Sequence, residues 1–248
     1  MDERISARRA AVRASRRRAR LRRTLLGLLG LAVLAAGVVA ERSGLLAVAR
    51  IDVVGLERLE RADVLDAAGV ALGDPVLRIR TGRAADAVEA LPLVRRAEVD
   101  RTGPTRLRVA VEERRPVLVA AGRGRAVLLD RDGVAVAPGD EPGLPVVELT
   151  AAPPDVGRGT IDDAALANAH RVWVGLSGPL RGRVVRLLAP SPDELELVLD
   201  SGVRVRFGRA EDLAEKVRAL GAVLADTADS AVTVIDVRVP GVPTIRTD

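Results

Sequence analysis

The sequence predicts an α+β fold: a single transmembrane helix, a β-α-α-β-β module, and then a mostly antiparallel β domain with flanking helices. Three patterns predict it. Residues 24–40 carry no charge and follow a leader crowded with arginine. Residues 51–117 pass from alternating to helical apolar spacing and back. Beyond Pro116 the apolar residues fall mostly in short β-branched runs separated by turn residues. With 248 residues, 48% of them hydrophobic, the chain is long enough to bury real cores. Trp173 and Phe207 are its only aromatic residues, so those cores are built from Val, Leu, Ile and Ala. The absence of Cys excludes disulfides, thiolate metal sites and Cys nucleophiles together.

The formal net charge of +5 is unevenly spread, because residues 1–23 hold ten Arg against Asp2 and Glu3. The rest of the chain is slightly acidic, so the basicity belongs to a tail. A nucleic-acid role is disfavoured, since the tail has no aromatic side chain on which a base would stack. The 17 uncharged residues 24–40 span about 25 Å as a helix, and the apolar residues after Glu41 and Arg42 extend the segment to 46. Arginines on one side of an apolar run place that side in the cytoplasm. The reading is a cytoplasmic tail over 1–23, a membrane helix over 24–46 and an extracytoplasmic remainder. A cleaved signal peptide is the rival, with Val38, Val39 and Ala40 as small residues at a cleavage point. The length of the apolar run and of the basic leader favours the uncleaved anchor.

After the membrane segment, "ARIDVVG" reads as a strand ending at Gly55. "ERADVLDAAG" spaces Ala62, Leu65 and Ala68 as a helix stopped by Gly69, and "TGRAADAVEALP" is a second helix between Thr81 and Pro92. "LVRRAEVDR" and "TRLRVAVEE" then form a strand pair across a "TGP" turn. In the last strand Leu107, Val109 and Val111 share one face and Arg106, Arg108 and Glu112 the other, which predicts a half-buried strand.

The order strand, helix, helix, strand, strand over 48–116 is the layout of a POTRA domain. This stretch resembles the POTRA domain of the FtsQ/DivIB family of bacterial cell-division proteins. The resemblance is carried by Val53 and Gly55, Gly69 and Gly73, "LPLV" leading into "AEVDR", and the spacing from Pro104 to Pro116. The second half, 117–240, resembles the β domain of the same family through "LLDRDGV", "GVRVRFGRAEDLAEKVRALGAVL" and "VTVIDVRVPGVPTIR". It reads as the strands "VLVAA", "AVLLD", "VAV", "VVELT", "VVRLLA", "ELELVLD", "VRVRF" and "AVTVIDVRV". Helices are predicted from Ile161 to Leu176 and from Arg209 to Leu224, and a flexible tail over 241–248. The chain departs from the family in its poverty of aromatics around Thr102 and Gly103.

The strand Ala231–Val239 is followed by Pro240 and Pro243, which suits the last strand of a sheet. Its residues alone leave two arrangements open: an edge that another chain completes, or an internal strand with Asp236 and Arg238 on a solvated face. The resemblance implies the first, because FtsQ/DivIB proteins recruit FtsB and FtsL, or DivIC, largely through the end of the β domain. Val234, Ile235, Asp236, Val237 and Arg238 are then the candidate partner-binding residues, with Ile235 or Val237 facing the edge and Arg204 and Arg206 as further candidates.

Catalysis has little to build on. His170 is the only histidine and sits in an Ala-rich helix. Asp130 and Asp132 in "DRDG" begin like a calcium loop, but the later carboxylates are missing, so a tight turn is expected. No cofactor, metal or small-molecule substrate is expected. The resemblance implies a non-enzymatic divisome scaffold, single-pass in the cell membrane at the septum. A secreted POTRA-bearing chaperone or translocation accessory is the alternative, and an extracytoplasmic hydrolase a more distant one.

Overall fold

The computed structural model describes residues 24–32, 46–157, 161–226 and 232–247. Residues 24–32 are helical (α1), with Leu25, Leu26, Leu28, Leu29 and Leu31 exposed. The rest of the expected membrane segment, 33–45, lies outside the described residues, as does the basic tail. Among the described residues no helix is long and apolar enough to cross a membrane. Two compact units follow. Among the described residues, one draws on 46–54, 68–85 and 98–110, the other on 55–67, 86–97 and the described residues from 111 onward.

The POTRA-type order is present: β1 (Arg50–Val54), α2 (Arg61–Ala68), a 3₁₀ turn at Val76–Arg78, α3 (Thr81–Glu89), β2 (Val94–Gly103) and β3 (Arg106–Glu113). The strands form one sheet in the order β1-β3-β2. β1 runs parallel to β3, with Arg50 opposite Arg106 and Val54 opposite Ala110. The two helices and β2 supply the crossover that a parallel pair requires. Alternation holds in β3, where Leu107, Val109 and Val111 are buried and Arg106, Arg108 and Glu112 exposed. Gly55 leaves β1 at φ +89°, and a Cβ there would stand 2.0 Å from the Val111 carbonyl oxygen, so only glycine fits.

The second sheet has nine strands: β4 (Pro116–Gly122), β5 (Arg125–Asp130), β6 (Ala135–Pro138), β7 (Val146–Leu149), β8 (Val184–Ala189), β9 (Glu196–Leu199), β10 (Arg204–Arg206), β11 (Val232–Asp236) and β12 (Thr244–Thr247). Their spatial order is β12-β11-β10-β9-β8-β7-β4-β5-β6. Five of the eight pairings are antiparallel and three parallel, β10 with β11, β7 with β8 and β4 with β7. The first two parallel pairs are those bridged by helices: α6 (Leu213–Asp226) between β10 and β11, α4 (Ala164–Gly175) and the short α5 (Gly178–Arg181) between β7 and β8. Asp163 caps α4 by accepting from the Leu166 backbone N–H at 2.8 Å. α4 packs on β7, β8 and α6 and buries Leu166, Ala169, Val172 and Trp173. Gly175 permits the close crossing, since a Cβ there would fall 2.3 Å from the Leu213 side chain.

The main core gathers Leu118, Leu129, Leu187, Leu197, Phe207 and Ile235 under the helices. A smaller cluster of Val119, Leu128 and Val136 lies on a separate side, so β4 and β5 carry unbroken buried runs rather than alternation. Lys216 is the only lysine beside 38 arginines, and it is 4% exposed. Its ammonium donates to the Phe207 and Arg209 carbonyl oxygens at 3.3 and 2.9 Å and stands 5.7 Å from the Phe207 ring centre. Burial holds its pKa below the usual lysine value. The compact ammonium, with three rotatable donors, suits the two carbonyl oxygens that follow β10.

Candidate functional site

Two strands near one end of the nine-stranded sheet, β10 and β11, hold five of the candidate residues, and Val237 and Arg238 follow β11. β11 is internal. On one side it pairs parallel with β10, Arg204 opposite Val234, Val205 opposite Ile235 and Arg206 opposite Asp236. On the other it pairs antiparallel with β12, Val234 opposite Arg246, Ile235 opposite Ile245 and Asp236 opposite Thr244. The edge reading of the 231–239 strand is therefore corrected. Pro240 and Pro243 flank a reversal, closed by the Val242 N–H donating to the Val239 carbonyl at 3.1 Å, rather than ending the sheet. Residues 244–247, expected within a flexible tail, return as β12.

Strand alternation then sorts the seven candidates. Ile235 and Val237 have no exposed surface and belong to the main core, so neither faces an edge. Val234, Asp236 and Arg206 are half-buried, and Arg204 and Arg238 are exposed. Arg206, Arg238, Glu196 and Asp193 line one shallow depression. Within it the Arg206 Nε lies 3.5 Å from the Glu196 carboxylate, and Arg209 pairs with Asp193. Arg238 forks onto Asp236, its Nη2 donating at 2.6 Å and its Nε at 3.0 Å. The Arg238 hydrogen bond holds the Asp236 carboxyl below the usual carboxylate range. One row thus carries Val234, Arg204 and Arg246, and the next Asp236, Arg206 and Glu196.

A depressed Asp236 pKa makes its contribution present above the unfolded carboxylate value of about 3.9 and lost as pH falls through the lower folded value. The pair is partly open to water, so it contributes no more than about 1 kcal/mol. Asp236→Asn is expected to lower the melting temperature slightly near neutral pH. The gap to the unmodified chain closes as melts are repeated below about pH 4, where the carboxylate begins to protonate in the unfolded chain.

The feature that sequence patterning missed is β12 itself. All four of its residues are exposed, Ile245 at 52%, and among the described residues no strand pairs with its outer side. Its β-branched alternation, Thr244-Ile245-Arg246-Thr247, was the available signal. The opposite edge is different in kind: β6, of the same length as β12, buries Ala135 and Val136 and ends in Pro138.

The residues weighed for chemistry have structural partners. Asp130 Oδ1 accepts from the Asp132 and Val134 backbone N–H groups at 2.9 and 2.8 Å, and Oδ2 from Arg114 Nη1 at 2.7 Å. "DRDG" is thus a tight turn closed by its own aspartate. His170 is half-buried and its Nε2–H donates to the Asp130 carbonyl oxygen at 2.9 Å. Among the described residues no group of three or more His, Cys, Asp or Glu side chains is placed to hold a metal ion.

Comparison with known proteins locates both halves. Residues 46–114 match the family model described as POTRA domain, FtsQ-type, and residues 117–238 the one described as Cell division protein FtsQ/DivIB, C-terminal. Cell division protein FtsQ of Mycobacterium leprae is 37% identical over 204 residues, covering 81% of this chain and 56% of that protein. That of Mycobacteroides abscessus is 32% identical over 223 residues, covering 90% and 68%, and that of Streptomyces collinus 34% over 235, covering 89% and 87%. The chain thus spans little more than half the length of the first of these relatives.

Proposed function

Because the chain belongs to the FtsQ/DivIB family of cell-division proteins, we propose that it acts in the divisome as a scaffold. It would link membrane and extracytoplasmic division proteins during septal peptidoglycan synthesis, working by binding rather than turnover. In this reading 1–23 is a cytoplasmic tail, 24–46 the single membrane span, 48–116 the POTRA domain and 117–240 the β domain. The last two lie outside the cytoplasmic membrane at the septum.

The observation that supports a docking role is the exposed, unpaired outer side of β12. An open strand offers a row of backbone donors and acceptors that a second extended chain completes, and flanking side chains select the partner. Partners of the FtsB/DivIC and FtsL type would add a strand beside β12, with Arg246, Val234, Arg204 and the Asp236–Arg238 fork as the adjoining surface. Sharing one membrane raises the effective concentration of partner and scaffold, so a modest interface suffices.

The test is depletion of the chain followed by complementation, with imaging of septa and of a fluorescent FtsB-type protein. The full chain is expected to restore both. A chain lacking residues 244–248 is expected to insert and fold but to lose recruitment at least about tenfold, since several ladder hydrogen bonds contribute about 1 kcal/mol each. Normal septa after depletion would remove the proposed function. Undiminished recruitment by the truncated chain would remove β12 as the docking edge.

A further inference from the structure

The loop between α2 and α3 is held against the residues where the described chain resumes after the expected membrane segment. The Val48 N–H donates to the Asp74 carbonyl at 2.8 Å, Gly73 N–H to Val48 at 2.9 Å and Val76 N–H to Leu46 at 2.9 Å. Arg101 of β2 reaches the same loop, donating to the Val76 carbonyl at 3.1 Å and to the Ile79 carbonyl. Asp74 accepts from the Ala71 N–H at 2.8 Å, and the Val76 side chain is buried. A loop held at so many points has little freedom to hide its side chains, yet Leu72 is 66% and Leu77 65% exposed.

This segment is locally net basic. Residues 69–85 carry Arg78, Arg80 and Arg83 against the single acid Asp74, in a chain whose residues after 23 are net acidic. Arg78, Arg80 and Arg83 are all exposed and line one depression with Asp74, Pro75 and Ile79. Apolar side chains standing out from a pinned loop beside clustered arginines suit a bilayer interface, where the apolar groups enter the acyl boundary and the guanidiniums meet anionic headgroups.

We infer that this loop is a membrane-surface contact: Leu72 and Leu77 dip into the bilayer beside the anchor, and Arg78, Arg80 and Arg83 bind anionic lipid phosphates. The inference rests on the anchored reading, which puts Leu46, and with it the bonded loop, at the lipid surface. The contact orients the first unit on the membrane that it leaves.

The chain has no cysteine, so Leu72→Cys accepts a single environment-sensitive fluorophore, and Val54→Cys, at the far end of β1 and about 13 Å along it from Arg50, serves as the reference position. The full labelled chain is reconstituted in vesicles of phosphatidylcholine and phosphatidylglycerol in equal parts, with nitroxide-bearing lipid as quencher. The label at 72 is expected to be quenched and that at 54 not. Arg80→Glu with Arg83→Glu is expected to shift the loop from lipid to water by about fivefold per arginine, and added salt acts in the same direction. A label at 72 as unquenched as that at 54 overturns the contact. Equal quenching in pure phosphatidylcholine, or in the double variant, overturns headgroup recognition. Alkaline carbonate extraction separates the two readings: a chain that pellets but is unquenched sinks the contact alone, and one that washes off sinks the anchor and the contact together.

Discussion

Ile235→Glu is expected to prevent the nine-stranded sheet from folding. Ile235 has no exposed surface, lies between Val205 and Ile245 in the ladder, and joins Phe207 and Val237 in the main core. Replacing it forfeits about 2–3 kcal/mol of apolar burial. It also places a carboxyl in an apolar niche, at a further cost of several kcal/mol whether the group ionises or is forced to protonate. The sum rivals the 5–15 kcal/mol by which an ordinary domain is stable, so the expected result is no cooperative melt by circular dichroism and rapid proteolysis. Val234→Glu, one residue away and facing the Arg204 and Arg246 row, is expected to shift the melt by only a few degrees. Comparable unfolding by both variants would show that the register assigned to β11 is wrong.

Asp130→Ala carries the second large effect. The aspartate is 2% exposed, closes the turn to β6 through two backbone N–H groups, and pairs with a guanidinium whose own side chain is only 19% exposed. Removing it leaves Arg114 partly buried without that partner, although Asp132 stands 3.6 Å away. Breaking such a pair from one side costs about 3–5 kcal/mol, and the open route to Asp132 places this case at the lower end. Urea melts are expected to lose about 3 kcal/mol for Asp130→Ala and less for Asp130→Asn, which keeps an oxygen for the turn. A double-mutant cycle with Arg114→Ala is expected to show coupling above about 1 kcal/mol. Strict additivity would mean that the turn bonds alone account for the loss.

Much of the fold was legible because it follows from local chemistry. The alternation of 106–112, the helical spacing of 61–68 and 81–89, and the eight strand runs after Pro116 all appear as elements. The POTRA-type order was readable because each element begins and ends on residues with their own backbone preference, such as Gly55. The candidate site was legible only in part. Val234, Asp236, Arg204 and Arg206 do form neighbouring rows, but β12 lay in what read as a tail, and the short α5 gave no periodic signal in four residues.

Side-chain pattern is a property of a few consecutive residues, and by itself it determined most of the strands and helices and, in β3, which face is apolar. The order of strands in the sheet is written in backbone N–H and C=O groups, which are the same at every position whatever the side chain. Hence only the tertiary structure decided that β11 is enclosed, that Ile235 and Val237 turn inward, and that the open edge passes to the four residues of β12.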